Sequence, residues 1–334
     1  MNLLQNEAPP ILGNPFFHRG PIRDRRYFFG RKAETRRALE MLRKCQCVSI
    51  VGPRRIGKTS LLFHFCDPEV QKKHGLGEEY LFVYIDCQGL GDLDRQQFYH
   101  WLWKETKRAL AERGKAVDWA ESISVSSGLR EAIVAIQEKG YKPAFLFDEF
   151  DTIAQSLSLD QNLFRDLRSL VPTVIYTTAS QDSLYDLTHI DKSALSSPFF
   201  NPFIEIYLGF LSPKEAEAMV GRLLRMAERE DLFTEKDLVF VLEVGGYHPF
   251  FLQLACYYLF EQKLEQKDLT TTDYEIVRQC YAEDAERHFH YTWKNLDARE
   301  REAVRLVCEG MVSEIDYEQK RRLERECILY KVVP

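Results

Sequence analysis

The 334-residue chain is short of several things, and each shortage excludes a class of protein. No apolar run approaches the roughly 20 residues a membrane helix needs. The longest, around Pro249–Phe260, is about a dozen residues and is broken by Gln253. Met1–Pro10 is mixed in character and ends in Pro-Pro, so no secretory h-region opens the sequence. There is no low-complexity tract and no internal repeat, which excludes solenoids and other repeat arrays. The eight cysteines, at 45, 47, 66, 87, 256, 280, 308 and 327, include no CxxC pair, and Cys45-x-Cys47 lacks zinc-ligand spacing. Cys47, Cys87 and Cys256 lie in apolar runs, where a thiol packs as a small hydrophobe. A reducing cytoplasm and no membrane association are the simple expectations.

What remains is an ordinary globular composition, 45% apolar and 29% charged, with ample material for a core. The length suggests two or three domains. The formal charge of −6 hides an asymmetry. Residues 1–60 hold 13 Lys/Arg against 4 Asp/Glu, and the remainder holds 32 against 47. A basic N-terminal end can contact phosphates, nucleic acid or an acidic partner, or its charges can simply be solvated.

Residues 1–27, rich in Pro, Gly and Arg, read as an extended N-terminal arm. A helix is expected from Lys32 to Lys44, with Ala38, Leu39 and Leu42 on its apolar face. Five short β-rich segments follow: Cys47–Val51, Leu81–Asp86, Ala144–Asp148, Val174–Thr178 and Phe203–Leu208. Helical patterns separate the first four, at Ser60–Phe65, Asp94–Glu112, Gly128–Lys139 and Asp160–Leu170. Alternating strands and helices imply a parallel sheet covered on both faces, an α/β core over 28–209. From Ser212-Pro213 the chain turns helical, with patterns at about 213–229, 234–243, 249–263 and 271–287, a helical domain over 210–290. A last segment, 291–334, holds a helix Ala298–Glu309 that Asp297 can cap, and stops on the strand-like run Cys327–Val333. An edge strand without an evident partner is an odd ending, and it suggests a piece of a longer protein.

The chemistry begins where Val48–Val51 runs into Gly52-Pro53-Arg54-Arg55-Ile56-Gly57-Lys58-Thr59, followed by Ser60. This fits the phosphate-binding loop G-x-x-x-x-G-K-[ST] between a strand and a helix. The glycines let successive backbone N–H groups turn inward onto phosphate oxygens, and the following helix adds its positive end. Lys58 would neutralise β- and γ-phosphates, and the Thr59 hydroxyl would ligate Mg²⁺. The expected cofactors are ATP or ADP with Mg²⁺. About 95 residues on, Ala144–Asp148-Glu149 ends an apolar strand in two carboxylates. At that strand end Asp148 would hold the metal through water, and Glu149 would polarise the attacking water. Asp151 reads equally as a third carboxylate or as a helix N-terminal acid.

With these residues in hand, the chain resembles the STAND branch of the AAA-like P-loop ATPases over about residues 15–290. Phe28-Phe-Gly30-Arg31-Lys-Ala-Glu34 looks like that group's hydrophobic–GRxxE element. The loop and Phe145-Leu-Phe-Asp148-Glu149-Phe-Asp match its nucleotide motifs, and Gly245-Gly-Tyr-His248-Pro249 resembles its Gly-x-His-Pro element. The resemblance implies a five-stranded parallel sheet in the order 5-1-4-3-2, a helical lid and a winged-helix-like end. It implies that Gly30 and Arg31 line the adenine and ribose side, and that His248 and Pro249 approach the nucleotide. Thr178 or Ser180, ending the fourth strand, would sense the γ-phosphate. Gln181 stands where some relatives carry an arginine. Arg54, Arg55, Arg165 and Arg168 are candidates for a charge supplied to a neighbouring subunit.

The resemblance implies a slowly hydrolysing switch in signalling, defence or regulation, acting through self-assembly or an effector or sensor protein. The alternative is a nucleic-acid-handling ATPase, an initiator, loader or transposition-associated enzyme. The arm residues Arg19, Arg23, Arg25 and Arg26 and the winged-helix-like tail favour it, and the overall acidity disfavours it. A binding scaffold without turnover is disfavoured by the intact Glu149.

Overall fold

The computed structural model describes residues 13–16, 20–115, 118–121, 123–125, 128–156, 158–159, 161–190 and 198–329. Arg19, one of the four arm arginines, lies outside them. The described chain forms two compact units. One is Ile22–Leu208; the other joins the described residues of Met1–Pro21 to those of Gly209–Pro334.

The first unit is built on five parallel strands: β1 (Cys47–Val51), β2 (Tyr80–Asp86), β3 (Lys142–Asp148), β4 (Ile175–Ser180) and β5 (Phe203–Tyr207). Their order is β2-β3-β4-β1-β5, the expected 5-1-4-3-2 read from the other edge. Every residue of β1 and β4 is buried, as central strands of a doubly covered parallel sheet are.

Because strand side chains alternate, the sheet has two distinct faces. Cys47, Leu81, Val83, Ile85, Phe145, Phe147 and Tyr176 share one of them in a single apolar cluster. Helices Arg95–Glu112, Arg130–Glu138 and Gln161–Ser169 cover that face. A stack of rings fills it: Phe145, Phe147 and Phe199 each lie within 6.2 Å of Tyr176, centroid to centroid. The opposite face carries Tyr84, Leu146 and Asp148 and packs against Lys58–Cys66, where Phe63 meets Tyr84 at 4.4 Å. Four short helices among the described residues escape periodicity: Pro68–Lys73, begun by an Asp67 cap and a proline at its first turn, Asp118–Glu121, Asp151–Ala154 and Leu184–Ile190.

The second unit is helical: Pro213–Met226, Glu235–Gly245, Pro249–Glu265, Thr271–Asn295, Ala298–Cys308 and Tyr317–Arg325. Four starts carry reciprocal capping boxes, Ser212–Glu215, Thr234–Asp237, Thr270–Asp273 and Asp297–Glu300. Phe16 joins this unit, stacking on Phe233 at 5.9 Å, and the Asn14 amide donates to Tyr257 O and Glu261 Oε1. The N-terminal stretch is therefore not one free arm. Residues 14–16 pack with the helices, while 22–27 belong to the sheet unit and form a short turn at Arg25–Tyr27 capped by Asp24.

Two other expectations differ from the structure. The division at 290/291 falls inside the helix Thr271–Asn295, since nothing from His288 to Asn295 breaks a helix; the stop comes at Leu296, where Asp297 starts the next one. The strand expected at Cys327–Val333 is not formed at Cys327–Leu329. There Ile328 and Leu329 fold back by backbone hydrogen bonds to Leu323, and residues 330–334 lie outside the described part. Leu323 and Leu329 close a small core with Leu296 and Ala303. The described C-terminal segment is thus a pair of packed helices with no strand.

Candidate nucleotide-binding site

The sheet register assembles the site. Asp86 pairs with Asp148, Phe147 with Thr178 and Val51 with Ser180, so the C-terminal ends of the strands form one edge. The ladder continues just beyond them, with Cys87 N donating to Asp148 O, Phe150 N to Ala179 O and Gly52 N to Ser180 O. Gly52 thus leaves the sheet beside the end of β4. A Cβ there would lie 2.9 Å from Leu208 O, so only glycine fits.

The loop then turns through left-handed backbone at Arg55 (φ 62°) and Gly57 (φ 104°), and Lys58 opens the helix. Arg54 and Arg55 are exposed. Lys58 is buried, and its ammonium donates to Gly52 O at 2.8 Å and Pro53 O at 3.1 Å. Burial pulls its pKa down, while Glu149, Asp151 and Asp148 pull the other way. Thr59 follows in the first helical turn and is partly exposed. The Ser60 hydroxyl accepts from Ile22 N at 3.0 Å, tying the start of this unit to the loop helix.

Asp148 is 2% exposed. Its Oδ1 accepts from Glu149 N at 3.1 Å and its Oδ2 from the Tyr84 hydroxyl at 2.8 Å. Glu149 sits in left-handed backbone at φ 48°, an unusual conformation for a non-glycine residue, right where the acidic strand leaves the sheet. Burial raises its pKa, Lys58 opposes that, and Asp148 and Asp151 add to it. Asp151 starts a short helix and accepts from Gln181 N at 3.1 Å, bracing the end of β4 against the end of β3. Periodicity singled out neither Tyr84 nor this brace. The available signal was a phenol two residues before the end of β2, on the face that carries Asp148.

The remaining candidates are spread more widely. Gly30 and Arg31 both have left-handed backbone, and the buried Arg31 guanidinium donates to Ile56 O at 3.2 Å while pairing with Glu34. Arg31 therefore clamps the loop from behind. The Ser180 hydroxyl donates to Asp182 O. Thr178 is fully buried and, by strand alternation, shares the face of Tyr176 rather than that of Asp148. Arg165 is exposed and bonds Asn162 Oδ1, and Arg168 lies on the same helix.

The family of the chain can be read against this geometry. The family described as Novel STAND NTPase 2 matches residues 43–313. The chain belongs to that family. This STAND NTPase also shares its fold with solved P-loop ATPases. The Walker-type ATPase PABY2304 of Pyrococcus abyssi superposes with a TM-score of 0.61 at 17% identity, covering 93% of each chain. The ADP form of the Aeropyrum pernix ORC2 protein superposes with a TM-score of 0.60 at 14% identity, covering 93% of this chain and 82% of that one. No curated protein matches the sequence significantly.

His248 and Pro249 of this STAND NTPase lie in the helical unit, at the start of Pro249–Glu265. His248 is buried, with its ring 4.8 Å from that of Phe251. The preceding glycines have packing reasons. A Cβ at Gly245 would lie 2.6 Å from Phe251 O, and Gly246 takes φ 60°. The described arm arginines all have partners within their own unit: Arg23 over the Phe63 ring, Arg25 with Asp67 and Arg26 with Asp24. No described helix is long and apolar enough to cross a membrane.

Proposed function

We propose that this NTPase is a Mg²⁺-dependent, slowly hydrolysing ATP switch of the cytoplasm. Nucleotide state would set the arrangement of its helical lid and C-terminal helices, and through them its engagement with a second copy or an effector or sensor protein in signalling, defence or regulation. The observation that carries the reading is Lys58, a buried ammonium that donates to loop carbonyls and, among the described residues, has no carboxylate in ion-pair contact, with Asp148 and Glu149 at the same strand edge. A cation desolvated without a carboxylate in ion-pair contact is stabilised when a polyanion arrives.

The donor set fits a magnesium–triphosphate. Inward N–H groups of the loop and the start of Lys58–Cys66 would cradle the phosphates, with Lys58 on the β- and γ-groups. Thr59 and, through water, Asp148 would hold the metal, a two-group set typical of Mg²⁺ sites completed by phosphates. When bound, the metal supplies charge neutralisation on the phosphate oxygens. Glu149 would orient and polarise the attacking water, Ser180 would report the γ-phosphate, and His248 with Pro249 would relay its presence to the lid. The ADP and ADPNP–ADP forms of the Aeropyrum pernix ORC2 protein support an adenine nucleotide.

The test is Glu149→Gln in the full chain. ATP binding is expected to persist while hydrolysis falls at least about a hundredfold, roughly 2.7 kcal/mol in the barrier. Hydrolysis at the wild-type rate would overturn the role given to Glu149.

A further inference from the structure

The Asp148 carboxylate is fixed by two hydrogen bonds of different origin. One is local, from Glu149 N to Oδ1. The other comes from a neighbouring strand, from the Tyr84 hydroxyl to Oδ2 at 2.8 Å. Tyr84 is held in its turn. Its ring lies 4.4 Å from that of Phe63, and the Arg23 guanidinium lies 4.3 Å from the centroid of the Phe63 ring. Phe63 is four residues after Thr59 on the same helix, so one helix face carries the hydroxyl and the ring together. A phenylalanine at 84 would fill the same space. What the hydroxyl adds is a donor aimed at a buried carboxylate, which fixes its orientation.

We propose that Tyr84 is a positioning residue for the divalent cation. Its hydroxyl holds Asp148 in a single orientation, and its ring contact with Phe63, which Arg23 covers in turn, keeps Asp148 in register with Thr59 across the loop helix. The two protein contributions to the metal then move as one body. This rests on the Mg²⁺–nucleotide reading above.

The experiment titrates a fluorescent non-hydrolysable ATP analogue on the full chain, in EDTA and across a Mg²⁺ series, with melting curves alongside. In the wild type, Mg²⁺ should tighten binding. Tyr84→Phe should raise the half-saturating Mg²⁺ concentration about tenfold, the scale of one hydrogen bond to a charged group. Its affinity in EDTA should stay at the wild-type value, while its melting midpoint should fall only modestly, since the buried carboxylate keeps the donor Glu149 N. Phe63→Leu should shift Mg²⁺ dependence in the same direction by a smaller factor. In an Asp148→Asn background the Tyr84→Phe shift should vanish, which a merely structural role would not predict. A Tyr84→Phe protein with wild-type Mg²⁺ dependence overturns the proposal while leaving the nucleotide reading intact. A wild type whose affinity ignores Mg²⁺ overturns both.

Discussion

Each unit of this protein buries a lysine, and the two are treated in opposite ways. In the helical unit Lys263 meets Asp237 at 2.7 Å, and both side chains are almost wholly buried. Asp237 also accepts from the Tyr274 hydroxyl at 2.6 Å and from Thr234, while Lys263 donates to Lys267 O. Burial alone would raise the Asp237 pKa, but the donors from Lys263, Tyr274 and Thr234 outweigh it and hold the carboxyl below its usual range. In the sheet unit Lys58 donates to the carbonyls of Gly52 and Pro53 and, among the described residues, has no carboxylate in ion-pair contact; burial lowers its pKa, and Glu149, Asp151 and Asp148 oppose that from further away. A charge matched by its neighbours is structure. A charge left to carbonyls at a strand edge is available to a ligand.

The largest effect expected from this contrast lies in the helical unit. Removing one partner of a buried pair costs about 3–5 kcal/mol, because the survivor is left unmatched. Asp237→Asn and Lys263→Met should each lower the denaturation midpoint of the full chain accordingly. The double variant should recover much of the loss, and a double variant as unstable as the sum would show that the pair is not coupled. Nucleotide affinity of the folded fraction should be unchanged.

Lys58→Ala should behave in the reverse way. It should weaken ATP binding by about a hundredfold, or roughly 2.7 kcal/mol, while the nucleotide-free protein melts no lower than the wild type. Retention of wild-type affinity would break the distinction between the two lysines.

Much of this contrast was legible in the sequence, and the exceptions have physical causes. The loop from Gly52 to Thr59 and the Asp148-Glu149 pair could be read because their chemistry is local: a fixed spacing between a strand and a helix. The strand order came with the family resemblance rather than with periodicity. The Lys263–Asp237 pair could not be read, since its members are separated by a helix and a turn and Asp237 looks like an ordinary capping-box acid. Tyr84 was hidden for the same reason, because only pairing of β2 with β3 brings it to Asp148. Thr178 and Ser180 show what a local pattern leaves open. Both hydroxyls suit a phosphate sensor, and strand alternation puts both on the face of Tyr176; Ser180 differs in standing at the strand end, beside Val51. The helix from Thr271 runs on to Asn295, past the pattern at 271–287, because no breaker residue stands between the two.

A smaller effect should appear as a pH dependence at Glu149. Its pKa is raised in the folded state by burial, so it contributes stability that is complete below the unfolded-state value and is lost as pH rises through the folded value. Glu149→Gln should therefore melt higher than the wild type at pH 7 without nucleotide, and the gap should close near pH 4. Hydrolysis by the wild type should switch on as pH rises through a midpoint above the ordinary glutamate value, since the ionised form is the one that polarises water. A Glu149→Gln protein that melts lower at pH 7 would mean that this carboxylate is compensated like Asp237.

The smallest effect concerns the basic N-terminal end. Binding to duplex nucleic acid depends on free cations that displace counterions, with a log–log salt slope of about −0.9 for each phosphate neutralised. Arg23, Arg25 and Arg26 are instead drawn to Phe63, Asp67 and Asp24 within the sheet unit, as Lys263 is drawn to Asp237 in the other. A cation already matched gains less from a phosphate. Duplex binding at low salt should accordingly be weak, with a slope of magnitude below about 2. A slope of several units would show that these arginines exchange their internal partners for phosphates. It would place the basic end with Lys58, among charges kept for a ligand.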